Sequence, residues 1–162
     1  MFDVIIEFPK MKVGVATRGE RVVEIRYLPP ATGLIPAKNQ LAEKAARQLE
    51  RYREDPDTKF DLPVRIEGTP LQRAVWDAMQ AIPRGKTRTY GDIARELGAS
   101  LDVTAQDVGQ ACGDNRLPIV IPCHRVVAAD GIGGFAHATS GYLIEVKRWL
   151  LLHEADEFEL KP

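Results

Sequence analysis

Valine and isoleucine dominate two stretches near the beginning of the chain, residues 2–8 and 12–28. Short segments that contain proline or glycine, 8–10 and 18–20, interrupt these stretches. Runs of β-branched residues between turn-forming residues are typical of strands joined by hairpins. The pattern therefore predicts two or three short antiparallel strands, ended by the proline- and glycine-containing segment 29–33.

An amphipathic helix is predicted next, from about Lys38 to Arg53. Apolar residues recur there at helical spacing among charged ones, at Leu41, Ala45, Leu49 and Tyr52. Residues 62–66 are predicted to form a further short strand. The segment 67–70 marks the predicted boundary between an N-terminal αβ domain, residues 1–66, and a second domain, residues 67–162.

The second domain shows the pattern of short helices. Thr69 is suited to cap a helix whose first residue is Pro70 and which continues towards Pro83. Further helices are predicted from about Tyr90 to Leu97, from near Asp102 to about Cys112, and from about Leu143 to Glu154. The first two of these, joined by a short turn, fit a helix-turn-helix.

The composition is that of an ordinary globular protein. With 162 residues, 44% hydrophobic and 28% charged, the chain can build one good core or two small ones. Its apolar runs are too short to cross a bilayer, and its first residues lack the pattern of a signal peptide. Two cysteines do not make a disulfide framework. We therefore expect a soluble cytoplasmic protein.

The net charge of the chain argues against one mode of nucleic-acid binding. A net charge of −1 and a sequence pI of about 6.3 argue against a large basic face. One local segment, residues 83–90, carries three positive charges and no acidic residue. Taken alone, this segment is better explained as a polar connection between helices.

Cys123 is the first candidate for chemistry. It lies in a segment, residues 118–127, that is predicted to be buried and mostly extended, interrupted by Pro122. Most buried cysteines are structural, and a core histidine bonded to backbone would be the ordinary explanation of His124. A base beside a thiol nevertheless raises its thiolate fraction. Adjacent side chains of an extended chain point to opposite faces, so a bridging water would relay the proton unless the chain turns sharply.

Three segments resemble the O6-alkylguanine-DNA alkyltransferase family: Asn115 to Val127, which contains Pro-Cys-His-Arg-Val, Thr89 to Ala94, and Val146 to Glu154. The first motif is very specific to that family and its non-catalytic relatives. The resemblance covers roughly residues 69–154, and the N-terminal part matches in layout. It implies an α+β fold, with a ribonuclease H-like αβ domain and antiparallel sheet before a mostly helical, winged helix-turn-helix-like alkyltransferase domain.

The resemblance also implies an activity. It is DNA repair by base flipping and irreversible transfer of one alkyl group from O6-alkylguanine to the protein, with O4-alkylthymine as a further candidate substrate. No metal and no organic cofactor is needed. The implied partner is double-stranded DNA that contains O6-alkylguanine. No membrane partner is expected, and the protein is expected to be a monomer.

Catalytic roles follow by position in the matching segments. The resemblance makes Cys123 the nucleophile and permanent alkyl acceptor, and His124 the base that takes its proton through a water. Glu154 orients His124 and stabilises its positive form. Asn115 ties the recognition helix to the active-site segment, and the hydroxyl of Tyr90 protonates the departing guanine. Each of the last three residues has an ordinary structural explanation by itself, but together their spacing favours these roles.

The substrate pocket and the DNA surface are assigned in the same way. The resemblance places Lys147 near the substrate oxygen and lets the backbone carbonyl of Val126 accept from the guanine amine. Phe135 and Ser140 are expected in the pocket, on a loop that donates a backbone N–H to the guanine oxygen. DNA binding is assigned to five residues of the helix-turn-helix region: Thr89, Thr104, Ala105, Gln106 and Gly109.

The chain departs from the family pattern at several places. Gln106 stands where an arginine usually fills the gap left by the flipped base, and Asp107 replaces a small apolar residue. The loop 131–142 is a few residues longer than usual, which predicts room for larger alkyl groups. The cysteines and histidines that bind zinc in some members have no counterpart here, so we expect no metal site. Cys112 is expected to be a small buried residue.

Three other classes of function remain open. A sensor that binds alkylated DNA without transfer ranks second, although such relatives usually carry tryptophan in place of the cysteine. A Cys–His hydrolase would turn over many times. A winged-helix transcription regulator with an incidental cysteine would transfer nothing.

Gln106 generates the first testable prediction. Glutamine is shorter than arginine, neutral and a poorer stacker, so base flipping is expected to be weaker here. We expect Gln106→Arg to raise the single-turnover rate of alkyl transfer on duplex DNA above the wild-type rate. An unchanged or slower rate would contradict the hypothesis.

Overall fold

A computed structural model describes residues 1–98 and 102–155 of the chain. Residues 156–162, which end the predicted second domain, lie outside the described residues. Contacts between Cα positions divide the chain into two compact units, Met1–Ile66 and Glu67–Pro162. Each unit has buried apolar side chains of its own.

A three-stranded antiparallel sheet and one helix form the first unit. The strands are β1 (Val4–Phe8), β2 (Met11–Arg18) and β3 (Arg21–Leu28), in the spatial order β1-β2-β3. The helix α1 (Gln40–Glu54) contacts all three strands. Its Leu49 and the Val13 of β2 are fully buried. The predicted antiparallel strands and amphipathic helix are therefore confirmed.

The predicted strand at residues 62–66 is wrong in its extent. Only one isolated bridge forms there, between Val22 and Val64. Two backbone hydrogen bonds hold it, from Val22 N–H to Pro63 C=O at 2.8 Å and from Arg65 N–H to Val22 C=O at 2.9 Å. Pro63 has no N–H to donate, which limits how far a ladder can continue through this segment.

Four α-helices dominate the described part of the second unit, residues 67–98 and 102–155. Its elements are α2 (Pro70–Gln80), β4 (Arg88–Thr89), α3 (Tyr90–Leu97), α4 (Ala105–Gly113), β5 (Val126–Val127) and α5 (Tyr142–Glu154). A single 3-10 turn, Cys123–Arg125, leads into β5. β4 and β5 pair in parallel, which places the beginning of α3 beside the segment that follows Cys123.

Reciprocal capping boxes begin three of these helices. Thr69 with Gln72, Thr89 with Asp92, and Thr104 with Asp107 each exchange two side chain-to-backbone hydrogen bonds. These bonds satisfy backbone N–H groups that have no partner inside the helix. The capping box explains why α4 begins at Ala105 rather than near Asp102. It also gives Asp107, which departs from the family pattern, a local structural role.

The segment before β5 is buried as predicted, but the prediction that it is mostly extended is wrong. Ile119 has a φ of +74°, and the N–H of Ile121 donates back to the carbonyl of Leu117 at 2.8 Å. The 3-10 turn follows directly. Only β5 continues as a strand, so the chain turns sharply on both sides of Pro122.

The last helix carries unusual residues on its buried face. Besides Ile144, Val146 and Leu150, α5 buries the ionisable residues Lys147 and Glu154. Burying a charge is costly unless it is paired, so these positions need partners inside the fold. Among the described residues, no helix has both the length and the apolar character needed to span a membrane.

Trp76 generates a stability prediction. Its indole N–H donates to the carbonyl of Ala111 at 2.8 Å in the buried interface between α2 and α4. We expect Trp76→Phe to lower the free energy of unfolding by about 1–3 kcal/mol, because the carbonyl then stays buried without a donor. Urea denaturation measures this value.

The control for Trp76→Phe is Gln80→Ala, an exposed position at the end of the same helix. Its expected effect is within about 0.5 kcal/mol. Equal effects for the two variants would show that the Trp76 hydrogen bond does not stabilise the helix pair.

Candidate active site

Cys123 lies at the start of the 3-10 turn, with only 6% of its surface exposed. Its backbone N–H donates to the carbonyl of Ile121 at 2.8 Å. The residue lines an open cavity of about 530 Å³, which we call the Cys123 cavity. A nucleophile is therefore buried in the protein but reachable from one side.

Two facing walls enclose the Cys123 cavity. One wall is α4 and the other is the loop 133–139. The lining residues are Tyr90, Ala105, Gln106, Gly109, Gln110, Cys112, Gly113, Cys123, Ala128, Gly133, Gly134, Phe135, Ala136, His137, Ala138 and Thr139. The cavity thus brings together six residues that the sequence singled out: Tyr90, Ala105, Gln106, Gly109, Cys123 and Phe135.

Five residues predicted for the substrate pocket or for DNA binding do not line the cavity in the described part of the chain: Thr89, Thr104, Val126, Ser140 and Lys147. Thr89 and Thr104 cap helices, and their hydroxyls accept from the N–H groups of Asp92 and Asp107. Cys112 is half-buried rather than buried, because it faces the cavity. Its Sγ lies 3.7 Å from the Sδ of Met79.

A buried charge cluster lies behind Cys123. Nε2 of His124 is 2.9 Å from Oε1 of Glu154, although the ring N–H is not well aligned for a hydrogen bond. The two carboxylate oxygens of Glu154 also accept from Arg125, at 2.9 Å from Nε and 3.0 Å from Nη2. His124 and Glu154 have exposed side-chain fractions of 0% and 2%.

Sequence reasoning missed Arg125 as a member of this cluster. Its side chain adds a third hydrogen bond, from Nη1 to the carbonyl of Ile82 at 2.7 Å. The backbone carbonyl of Glu154 in turn accepts from Arg84 at 2.8 Å. Arg125 belongs to the Pro-Cys-His-Arg-Val motif. Its position next to His124 was the signal in the sequence that a cation could share the carboxylate partner of the histidine.

The 3-10 turn changes the expected relation between Cys123 and His124. Because the chain is not extended here, the alternation of adjacent side chains does not apply. Nδ1 of His124 is buried and has no hydrogen-bond partner among the described residues. The carboxylate of Glu154, 2.9 Å from Nε2, favours a proton on that nitrogen and leaves Nδ1 as the acceptor.

Asn115 connects the end of α4 to the segment before Cys123. Its Nδ2 donates to the carbonyl of Ile121 at 2.8 Å, and its Oδ1 accepts from the N–H of Leu117 at 2.9 Å. The amide of Asn115 also lowers the pKa of Cys123, which favours the thiolate. Asn115 thus both shapes the turn and stabilises the ionised form of the thiol.

The ammonium group of Lys147 contacts three separate parts of the site. Its Nζ donates to the carbonyls of Val126 at 2.7 Å and Gly134 at 2.9 Å, and it lies 3.5 Å from the hydroxyl of Tyr90. The residue is completely buried. A carbonyl oxygen has two lone pairs, so Val126 keeps the capacity to accept a second donor.

Burial favours the neutral forms of Cys123 and His124 in the resting site. Burial raises the pKa of Cys123, opposed by the hydrogen bond from Asn115 and by the charge of Lys147. Burial likewise lowers the pKa of His124, opposed by Glu154. It lowers the pKa of Lys147 to about 8 and raises the pKa of Tyr90 to about 12. The hydroxyl of Tyr90 is therefore protonated at neutral pH.

No metal site is apparent in the ranges 1–98 and 102–155. Within them, no three histidine, cysteine, aspartate or glutamate side chains are grouped so that they could hold an ion.

The comparisons with known proteins concern mainly the second unit. Residues 70–156 match the family model described as the DNA-binding domain of 6-O-methylguanine DNA methyltransferase. A methylated-DNA–protein-cysteine methyltransferase of Mycolicibacterium paratuberculosis is 42% identical over 68% of this chain and 66% of its own length. The chain thus spans just under two thirds of that relative. A probable methylated-DNA–protein-cysteine methyltransferase of Acanthamoeba polyphaga mimivirus is 36% identical over 81% of this chain and 80% of its own.

Solved structures extend the likeness to both units. Mycobacterium tuberculosis OGT, crystallised in complex with DNA, superimposes with a TM-score of 0.73 at 34% identity. The match covers 93% of this chain and 90% of that one. The O6-methylguanine methyltransferase of the same organism has a TM-score of 0.73 at 31% identity, over 99% of this chain and 100% of that one.

The carboxylate of Glu154 generates a prediction. Glu154→Gln keeps the shape of the side chain but removes the charge that faces Arg125 and His124. We expect the free energy of unfolding, measured by urea denaturation, to fall by about 1–3 kcal/mol, because Arg125 keeps its charge but loses the carboxylate that compensates it.

Glu145→Gln is the matched control, since Glu145 lies on the same helix with 60% of its side chain exposed. Its expected effect is within about 0.5 kcal/mol. The assignment of a supporting role to the buried carboxylate fails if Glu154→Gln is as stable as this control.

Proposed function

The chain belongs to the 6-O-methylguanine DNA methyltransferase family, and we propose that it repairs DNA by moving the alkyl group of O6-alkylguanine onto its own Cys123. The observation that carries the proposal is the environment of this cysteine. Cys123 lines a cavity open to the surface, and His124, the next residue, lies 2.9 Å from a buried carboxylate.

The transfer is a displacement at a saturated carbon. The thiolate Sγ of Cys123 forms a bond to the alkyl carbon while the bond from that carbon to O6 of guanine breaks. The electron pair of the broken bond stays with guanine, which is neutralised by a proton. The product is a thioether, so each protein molecule acts once.

His124 is proposed to take the proton of the thiol. Because burial raises the pKa of Cys123, the resting cysteine is a thiol, and the proton must leave as the reaction begins. Nδ1 of His124 has no other partner among the described residues, and a water is proposed as the relay. The carboxylate of Glu154 then stabilises the positive imidazole.

Tyr90 is proposed to donate the proton that the leaving guanine needs. Its hydroxyl is protonated at neutral pH and its side chain lines the Cys123 cavity. The ammonium of Lys147, 3.5 Å from that hydroxyl, would stabilise the phenolate as it forms. This arrangement supports a role for Lys147 behind the pocket rather than in direct contact with the base.

DNA is proposed to meet the protein through α3 and α4, used as a winged helix-turn-helix. Ala105 and Gln106 are exposed at the beginning of α4 and line the mouth of the cavity, where a flipped base would enter. We propose that Gln106 contacts the base left without its partner. For the first unit we propose a ribonuclease H-like arrangement, which its antiparallel sheet and packed helix support.

The proposed partner is double-stranded DNA that contains O6-alkylguanine, bound by a monomer. Cys112 and Cys123 are both free thiols, which supports a reducing compartment and, in our proposal, the cytoplasm. O4-alkylthymine is a further proposed substrate of the same cavity.

A labelling experiment tests the transfer. The protein is incubated with duplex DNA that carries O6-methylguanine with a labelled methyl group, digested, and analysed by mass spectrometry. We expect one label per molecule, on the peptide that contains Cys123, and none with Cys123→Ser. Cys112→Ser is the matched control, because Cys112 lines the same cavity and should not be needed.

Other outcomes would replace the proposal. Binding without label would favour a damage sensor, and release of many products per molecule would favour a hydrolase. Label on the peptide that contains Cys112 would show that Cys112, and not Cys123, is the nucleophile.

A further inference from the structure

A tight turn forms the outer wall of the Cys123 cavity. Phe135 and Ala138 exchange two backbone hydrogen bonds, each 2.8 Å long, around the two residues Ala136 and His137. These central residues have φ values of +50° and +66°. Positive φ at both central positions marks the type I′ family of turns, which normally uses glycine or asparagine.

Residues other than glycine rarely adopt this backbone conformation, so surrounding contacts must hold the turn. His137 supplies such contacts at the tip. Its Nε2 lies 3.1 Å from Oδ1 of Asp114, the residue that caps the C-terminal end of α4. The turn is thereby fastened to the opposite wall of the cavity.

Gly113 makes room for the histidine ring. A Cβ atom at this position would lie 2.2 Å from Cε1 of His137 and 2.5 Å from each ring nitrogen. No side chain fits there while the ring is in place. The imidazole therefore lies directly on the backbone of α4, and a Cβ at position 113 would displace the ring from its place beside Asp114.

Asp114 is itself held from outside the cavity. Its Oδ2 accepts from Nε2 of Gln72 at 3.2 Å, and Gln72 also closes the capping box of α2 through its Oε1. The fastening point thus belongs to the helical scaffold. The base of the loop is held separately, because Gly134 accepts from buried Lys147 and the side chain of Phe135 is buried.

We propose that His137 is a specificity-determining residue, which fastens the 135–138 turn to Asp114 and so sets the size of alkyl group that the Cys123 cavity admits. The proposal rests on the function proposed above. We call the contact between His137, Asp114 and Gly113 the turn latch.

Because the turn and Cys123 line the same cavity, the position of the turn affects the space that is available to the alkyl group. Cys112, Ala128, Phe135 and Ala138 line the same cavity as the sulfur, so the alkyl group has small or apolar neighbours. With the turn latch closed, these walls keep a fixed separation. A bulky group needs the turn to move outward, and Lys147 holds the base of the loop while the tip moves.

The turn latch can be removed without unfolding the protein. The side chains of His137 and Asp114 are 51% and 46% exposed. Exposed ion pairs contribute little to the free energy of unfolding. Variants at these positions therefore report on the cavity rather than on the stability of the fold.

The experiment compares two substrates in one duplex sequence, O6-methylguanine and O6-benzylguanine. Single-turnover rates of transfer to Cys123 are measured for wild type, His137→Ala, Asp114→Ala and the double variant. We expect each single variant to raise the benzyl-to-methyl rate ratio about twofold to fivefold, the range that loss of one exposed polar contact allows. The double variant should match the single ones, because all three remove the same latch.

Gly113→Ala gives an independent test. In the wild-type background its methyl group must displace the His137 ring, so the rate ratio should rise. In the His137→Ala background the ring is gone and the same substitution should have no effect on the ratio. Glu145→Gln, which removes an exposed 3.6 Å contact with Arg148 in the same unit, is the control and should leave the ratio unchanged.

The outcomes separate this proposal from the one on which it rests. If wild type transfers neither group to Cys123, the proposed function fails. If transfer occurs but the benzyl-to-methyl rate ratio is the same in all variants, the proposal that the turn latch sets the size of the alkyl group is wrong. Independent contributions of His137 and Asp114, whose effects multiply in the double variant, would overturn it as well.

Discussion

The carboxylate of Glu154 is the charge on which the rest of the site depends. It is buried at the end of α5, where an unpaired charge would be very costly. The fold compensates with two hydrogen bonds from Arg125 and the neighbouring ring of His124. Because both partners belong to the 3-10 turn that begins at Cys123, satisfying this one charge fixes the backbone around the sulfur.

The same burial that protects the site also suppresses its reactivity. Desolvation raises the pKa of Cys123 and lowers that of His124, so both are neutral at rest. In the proposed reaction, charge separates only when a substrate is bound. Lys147 contributes from the other side, since its ammonium favours the thiolate of Cys123 while it holds the carbonyls of Val126 and Gly134. If the thiol is used only once, as we propose, such shielding protects it against other alkylating or oxidising agents.

Rigid and adjustable parts of the Cys123 cavity are divided between its walls. α4 is fixed by the Thr104 capping box and by the hydrogen bond between Trp76 and Ala111. The facing loop is fixed at its base by Lys147 and Phe135, and at its tip by the exposed pair of His137 and Asp114. Cys123 and His124 lie between these walls on the 3-10 turn, which Asn115 and Glu154 hold through hydrogen bonds to Ile121 and Arg125. The sequence predicts a longer loop with room for larger alkyl groups, and in our proposal the contact between His137 and Asp114 limits that room.

Local patterns in the sequence determined the strands, the amphipathic helix and the helix starts at Pro70 and Tyr90, because capping and periodicity depend on residues within a few positions of each other. The motif around Cys123 likewise identified the family, and it singled out Cys123 as the candidate nucleophile. Only the tertiary structure decided that residues 117–125 turn rather than extend, since bonds from distant Glu154 and from the Asn115 side chain hold that backbone. It also assigned partners to Arg125 and His137, whose contacts join residues 23 or more positions apart. No spacing rule along the chain describes such contacts.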